Sequence, residues 1–115
     1  ILKASDGQII TTLPIGAGTD GAGFNPKTME AFSSQGDGTL TIVKENSPTS
    51  FSVEQNVATL VSAKTMTLDT KTDHVLLIGA EYGPPPTAPP AEGRGGRGGR
   101  GAMLPDSFSI LLVGK

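Results

Sequence analysis

Apolar residues in this chain occur in short runs of four to seven positions, separated by turn-forming Gly, Pro, Asn and Asp residues. Within the runs, apolar and polar positions alternate with the two-residue period of a β-strand and not the 3.6-residue period of a helix. Ile, Val and Thr, which are common in the runs, favour the same state. The pattern therefore predicts an all-β chain. The expected strands lie near residues 1–5, 8–13, 21–24, 29–34, 39–45, 51–58, 73–78 and 108–113.

The pattern also repeats after 44 residues. The segment GAGFNPKTMEAF, residues 21–32, aligns without a gap with TMTLDTKTDHVL, residues 65–76, so that Lys27 falls on Lys71. The alignment predicts one more strand before residue 73, which brings the expected number to nine. A repeat of about 40–45 residues with four short strands is typical of β-propeller blades, which are four-stranded antiparallel sheets.

The repeat divides the chain into about two and a quarter blades. Residues 1–13 are expected to end one blade, and residues 20–58 to form a complete blade. Residues 64–115 are expected to form a last blade that lacks its outer strand. We therefore interpret residues 1–115 as the C-terminal part of one propeller domain, whose remaining blades would be its first partner.

One segment departs from the composition of the rest. Residues 83–106 contain 7 Gly and 6 Pro, whereas the other 91 residues contain 12 Gly and Pro together. In the first repeat the strands at 29–34 and 39–45 are joined by a four-residue turn, but in the second repeat this segment separates the equivalent strands. It is predicted to be a disordered Pro/Gly/Arg-rich loop inserted into a hairpin.

Composition excludes several classes of protein. The 115 residues include no cysteine, which excludes disulfides, thiolate metal sites and cysteine nucleophiles. No run of about 18 apolar residues is present, so we expect no membrane-spanning helix. The formal net charge of -2 gives no sign of a polyanionic partner.

The inserted segment holds the best candidates for ligand or partner contact. Arg94, Arg97 and Arg100 are the only arginines of the chain, spaced evenly between glycines. Guanidinium groups pair with phosphates and stack on bases. Three of them would give a salt slope of only about −2 on single-stranded nucleic acid, and no aromatic residue lies within the tract to stack on a base. Nucleic-acid binding is therefore not favoured, while contact with an acidic surface stays open.

The remaining candidates favour structural roles. The glycines of residues 16–21 match G-x-G-x-x-G, but a strand and not a helix is expected to follow, so the motif indicates a tight crossover. His74, the only histidine, cannot form a multi-histidine metal site. Four acids lie near predicted turns, where such side chains commonly accept hydrogen bonds from the nearby backbone. They are Asp20, Asp37, Asp69 and Asp73. We thus assign no catalytic, cofactor-binding or metal-binding residue.

Several features resemble the YVTN-repeat β-propeller family. They are the Asp6-Gly7 turn, the Leu-Pro-Ile-Gly at residues 13–16 and the Phe-Asn-Pro at residues 24–26. Phe-Ser-Ser-Gln at residues 32–35 stands where the family has Tyr-Val-Thr-Asn. The resemblance implies a ring of blades, a binding role, and a periplasmic or secreted location.

The favoured function is that of a non-catalytic binding or scaffold protein, with a protein or small molecule as its undefined ligand. One alternative is a propeller enzyme, hydrolase or lactonase-like, whose active site would lie mainly in missing blades. Acids and histidines that converge around a metal would favour this alternative. A second alternative is weak RNA binding through the Arg-Gly-Gly loop.

Overall fold

The structure is a computed structural model that describes residues 1–84 and 101–115. It confirms the all-β prediction, since the described residues form seven strands in two antiparallel sheets and contain no helix. The first sheet has the order β1-β2-β3-β4 and the second the order β5-β6-β7. The strands are β1 Thr19–Asn25, β2 Glu30–Gln35, β3 Thr39–Ser47, β4 Ser50–Ala58, β5 Met66–Asp69, β6 His74–Gly79 and β7 Ser109–Val113.

The hairpin expected from residues 1–5 and 8–13 is present only as a short pairing of backbone groups, without the length of a named strand. The turn at Gly7 has φ of 73°, and a bridge joins Leu2 to Ile9. The backbone N–H of Lys3 donates to Gln8 O over 2.8 Å, and that of Ile10 donates to Ile1 O over 2.9 Å. A two-stranded ladder without further strands beside it is marginal in water. No other described strand pairs with these residues, which explains why the hairpin does not continue as a sheet.

The first hairpin of each sheet has the same register, displaced by 44 residues. In the first sheet Asn25 is opposite Glu30, and in the second Asp69 is opposite His74. The next pairs along the two ladders keep the same displacement. Because register depends on turn geometry as well as on the apolar pattern, the two hairpins share a conformation and not only a sequence pattern.

The turns of these hairpins are also equivalent. Asn25 Oδ1 accepts a hydrogen bond of 3.0 Å from the backbone N–H two residues ahead, and Asp69 Oδ1 accepts one of 2.9 Å from its own counterpart. Such Asx turns are a common use of Asn and Asp side chains. Met29 and Asp73, which end the turns, both have left-handed backbone, with φ of 57° and 60°.

The second hairpins differ in the length of their connection. Leu40 is opposite Ser34 in the first sheet, while Ile110 is opposite Ile78 in the second. The displacement is therefore 44 residues on β6 but 70 on β7, from 40 to 110. The additional residues lie between β6 and β7, where Tyr82 and Met103 form a bridge at the base of the connection. The predicted disordered loop spans residues 83–106, of which residues 85–100 lie outside the described residues. At its described ends, the backbone N–H of Gly83 donates to Ala102 O over 2.8 Å.

The core lies between the two sheets. Phe32 and Leu40 of the first sheet pack with Val75 and Leu77 of the second, and Ala63 from the connection between the sheets completes the buried cluster. Full burial of such a side chain stabilises the fold by roughly 1.5–3 kcal/mol, so this cluster holds the sheets together.

Polar contacts add to the same interface. Asn25 Nδ2 donates to Asp73 Oδ1 over 3.0 Å, and Ser34 Oγ donates to the Lys64 carbonyl oxygen.

Within residues 1–84 and 101–115, no helix has the length and apolar character needed to cross a membrane.

Candidate functional site

A cleft of about 560 Å³ opens where the second sheet meets the base of the long β6–β7 connection. We call it the neck cleft. One part of its lining is apolar and the other is polar, so the cleft is suited to a molecule that has an apolar group and a polar group. Its lining includes the apolar Ile78, Met103 and Phe108, the phenol ring of Tyr82, and the polar Asp20, Ser62, Lys64 and Thr65.

The polar wall is built by the start of β1 and the segment that leads into β5. Lys64 Nζ lies 3.5 Å from Asp20 Oδ1, and Thr65 Oγ1 donates to Asp20 Oδ2 over 3.4 Å. Both charged side chains are partly exposed, so the ion pair contributes little stability. Its charges remain accessible to a polar or charged group in the cleft.

The apolar wall is held in place by hydrogen bonds at the base of the connection. The backbone N–H of Leu104 donates to Glu81 O over 2.8 Å, and Ser107 Oγ donates to Leu104 O over 2.7 Å. These contacts fix the backbone between Met103 and Phe108, whose side chains are exposed. Exposed large apolar residues on a well-positioned backbone are a common feature of binding surfaces.

The glycine motif at residues 16–21 lies beside this cleft and serves packing. β1 begins at Thr19, inside the motif, so no helix N-terminus is available there for a pyrophosphate. A Cβ atom on Gly21 would lie 2.6 Å from Met66 Cγ and from Ser34 Oγ. Glycine is therefore required where β1 runs against β5, as expected for a tight crossover.

A second cleft, of about 420 Å³, lies between the two sheets at their other end. Lys115 Nζ lies 3.1 Å from Glu30 Oε1 and 3.4 Å from Glu54 Oε1. Burial raises the pKa of Glu30, but hydrogen bonds from Thr28 and Lys115 outweigh it and lower that pKa overall. The hydrogen bond to Glu30 and the charge of Glu54 raise the pKa of Lys115. The arrangement is that of a structural ion pair.

Two of the four predicted turn acids, Asp37 and Asp69, accept hydrogen bonds within their own turns. The other two do not, since Asp20 pairs with Lys64 and Asp73 accepts from Asn25. Hydrogen bonds from the Thr39 hydroxyl, at 2.6 Å, and the Ala17 N–H, at 2.7 Å, lower the pKa of Asp37. The pKa of Asp69 is lowered by the Lys71 N–H and the Thr72 hydroxyl. Among the described residues, no group of three or more His, Cys, Asp or Glu side chains is placed to hold a metal ion.

The structure does not bring His74 to the neck cleft. His74 begins β6 and Gly79, which lines the cleft, ends it. Five residues of extended strand span roughly 17 Å. The imidazole is therefore too far away to serve a molecule bound there as acid or base.

The predicted contact residues Arg94, Arg97 and Arg100 lie outside the described residues. Sequence reasoning missed the neck cleft, although a signal existed. Tyr82 directly precedes the Pro/Gly-rich segment, Met103 lies near its C-terminal end, and Phe108 follows it closely. Large side chains at the base of a long connection can line a site on the rigid sheet beside it.

Comparison of the chain with family models, with curated proteins and with solved structures gives no match.

Proposed function

We propose that this chain is a non-catalytic binding or scaffold protein built from β-propeller-type blades. The equal registers of the two first hairpins, displaced by 44 residues, support the blade interpretation. So does the simple order of each sheet, in which each strand pairs with the next along the chain. β1 and β5 are the first strands of the two sheets and lie beside each other, as inner strands do around an axis.

Two parts of the proposal come from the resemblance to YVTN-repeat proteins. The chain forms part of a larger ring, and further blades complete the fold around the same axis. The ring acts outside the cytoplasm, in the periplasm or as a secreted protein. A reading frame with further 44-residue repeats before Ile1 would support the first part, and an export signal there would support the second.

The observation that carries the binding role is the neck cleft. It combines exposed apolar side chains, Met103 and Phe108, with the accessible charges of the Asp20–Lys64 pair. A cleft with this lining fits a small amphipathic molecule or a short peptide segment that has an apolar group and a charged group. Both walls lie on or next to paired strands, so the site needs little ordering upon binding.

The test is an NMR titration of the ¹⁵N-labelled chain with a set of small compounds, each of which has one aromatic ring and one charged group. We expect compounds that bind to shift the amide signals of Lys64, Tyr82 and Phe108. Replacement Phe108→Ala should weaken this binding about tenfold, because it removes a large apolar contact.

The matched control is Phe24→Ala, which removes another exposed phenylalanine that does not line the cleft. This variant should bind like the unchanged chain. Shifts that spread over other surfaces, or equal losses in the two variants, would contradict the binding site. Conversion of a bound compound to a product would contradict the non-catalytic role.

A further inference from the structure

The cleft between the two sheets holds two carboxylates that share one ammonium group. Lys115 Nζ lies 3.1 Å from Glu30 Oε1 and 3.4 Å from Glu54 Oε1. The Glu30 side chain is 9% exposed, whereas the Lys115 side chain is 82% exposed. The main acceptor is therefore held inside the fold, and its cation reaches it from the solvent side. We call the cleft that Glu30, Glu54 and Lys115 help to line the inter-sheet cleft.

Both carboxylates are positioned by the first sheet and not by Lys115. Thr28 Oγ1 donates to Glu30 Oε2 over 2.7 Å, which leaves Oε1 for a cation. The register between β3 and β4 skips Glu54, which therefore forms a β-bulge. Bulges re-aim a side chain, and here the bulged residue carries the second acceptor.

The repeat does not account for this pair of acceptors. The residue at the equivalent register position, 44 residues after Glu30, is His74. The shared hairpin therefore forms without a carboxylate at this position. The carboxylate of the first sheet calls for a reason beyond the hairpin itself.

The neighbouring cations are engaged elsewhere. Lys44 is directly opposite Glu30 in the ladder, but its Nζ donates to the Thr28 carbonyl oxygen. Lys27 Nζ lies 3.4 Å from Asp73 Oδ1. A largely buried carboxylate that loses its cation is costly. The site thus favours a replacement cation whenever the exposed Lys115 side chain moves away.

The rest of the cleft wall is apolar. Phe32 is buried, and Ile42, Val57 and Val113 pack against the core cluster to which it belongs. The Lys115 side chain is mostly exposed, so it fills little of this space. The volume of about 420 Å³ is in the range of small-molecule sites. Two carboxylates beside an apolar wall complement an ammonium group on a short hydrocarbon body.

We propose that the inter-sheet cleft binds small primary amines, whose ammonium group replaces that of Lys115 between Glu30 and Glu54. A primary ammonium has three N–H donors, enough for both carboxylates and one water molecule. Lys115 is then an intramolecular competitor, because an exposed ion pair is weak and exchanges readily. Further blades of the kind proposed above would pack on the outer sides of the two sheets and not between them. The lining shares no residue with that of the neck cleft.

An NMR titration of the ¹⁵N-labelled chain with n-hexylamine at pH 7 tests the proposal. The amine should shift the amide signals of Glu30, Glu54 and Lys115 until they reach saturation. 1-Hexanol, which has the same hydrocarbon chain without the charge, should bind about tenfold more weakly. Hexyltrimethylammonium should also bind about tenfold more weakly, because it keeps the charge but has no N–H to donate.

Two substitutions should change the affinity in opposite directions. Lys115→Gln removes the competitor and should tighten hexylamine binding about threefold. Glu54→Gln removes one charged acceptor and should weaken it about fivefold. The matched controls, Lys3→Gln and Glu45→Gln, make the same changes of charge at residues that do not line the cleft. Both controls should bind hexylamine like the unchanged chain.

A purely structural role of Lys115 predicts no gain in amine binding when it is replaced. The proposal is therefore overturned if Lys115→Gln binds hexylamine no more tightly than the unchanged chain. Equal binding by Glu54→Gln, or equal binding of hexylamine and 1-hexanol, would overturn it as well. So would the absence of saturable shifts at Glu30 and Glu54. If Glu54→Gln loses its β-sheet circular dichroism, Glu54→Asp replaces it, with weaker binding again expected because its carboxylate is drawn back.

Discussion

Met29 and Asp73 stand 44 residues apart and share a left-handed backbone conformation, with φ of 57° and 60°. Each lies at the end of a hairpin turn and directly before the second strand of its sheet. Residues other than glycine seldom adopt this conformation, because Cβ then crowds the neighbouring carbonyl oxygen. Two such residues at equivalent positions show that the turn, and not only the strand pattern, belongs to the repeat.

The strain at Met29 leads to a prediction about stability. Met29→Gly should raise the free energy of unfolding by roughly 0.5–1 kcal/mol, since glycine adopts positive φ without a Cβ clash. Met29→Ile should lower it by roughly 1 kcal/mol or more, because a β-branched residue fits the left-handed region poorly. Urea denaturation followed by circular dichroism measures both changes.

Asp73→Gly provides the comparison at the equivalent position. It relieves the same backbone strain but removes the acceptor of the 3.0 Å hydrogen bond from buried Asn25. Loss of a partner to a buried polar group costs about 1–3 kcal/mol. We therefore expect Asp73→Gly to lower stability while Met29→Gly raises it. Equal effects of the two substitutions would mean that backbone strain is not what distinguishes Met29.

Much of the strand pattern was predictable from sequence because local signals agree with it. The alternation predicted strands at residues 29–34 and 39–45, and β2 and β3 lie there. The 44-residue alignment predicted an additional strand before residue 73, and β5 lies there. Residues 1–13 were also expected to form two strands, and there only a short hairpin with a bridge between Leu2 and Ile9 is present. Alternation reports which side chains could share a face, while a ladder also needs a neighbouring strand to pair with.

The candidate site was less predictable, since it depends on residues distant in sequence. Asp20 and Lys64 come together because β1 lies beside β5. The sequence pattern indicates Asp20 only as a turn acid, and it does not single out Lys64. The apolar wall around Met103 is positioned by a bridge to Tyr82, across the Pro/Gly-rich segment. The composition of that segment singles out its arginines, and it does not indicate that the large side chains near its ends line a cleft.

The turn carboxylates predict how stability depends on pH. The pKa of Asp37 in the folded chain is lowered from its ordinary value of 3.8, and that of Asp69 is lowered likewise. The folded state therefore favours the charged forms. This contribution is fully present above about pH 5 and is lost as pH falls through the lowered pKa values.

Urea denaturation at a series of pH values from 7 to 2 measures this dependence. The free energy of unfolding should decrease below about pH 4. Asp37→Asn should be less stable than the unchanged chain at pH 7 and should show a shallower decrease toward pH 2. Asp69→Asn should do the same through the other turn. Variants that keep the full slope would show that other groups account for the acid sensitivity.

The Arg-Gly-Gly tract leads to a last prediction, about nucleic acid. Three arginines in an otherwise acidic chain give at most a weak electrostatic attraction for RNA, with a salt slope of about −2. We expect filter binding of a single-stranded RNA to be weak and nearly unchanged when Arg94, Arg97 and Arg100 are all replaced by alanine. The matched control replaces three lysines of the strands and turns, Lys27, Lys44 and Lys71, by glutamine. The conclusion is wrong if the unchanged chain binds RNA tightly, the alanine variant loses that binding and the glutamine variant keeps it. That result would place the RNA contact in the Arg-Gly-Gly tract.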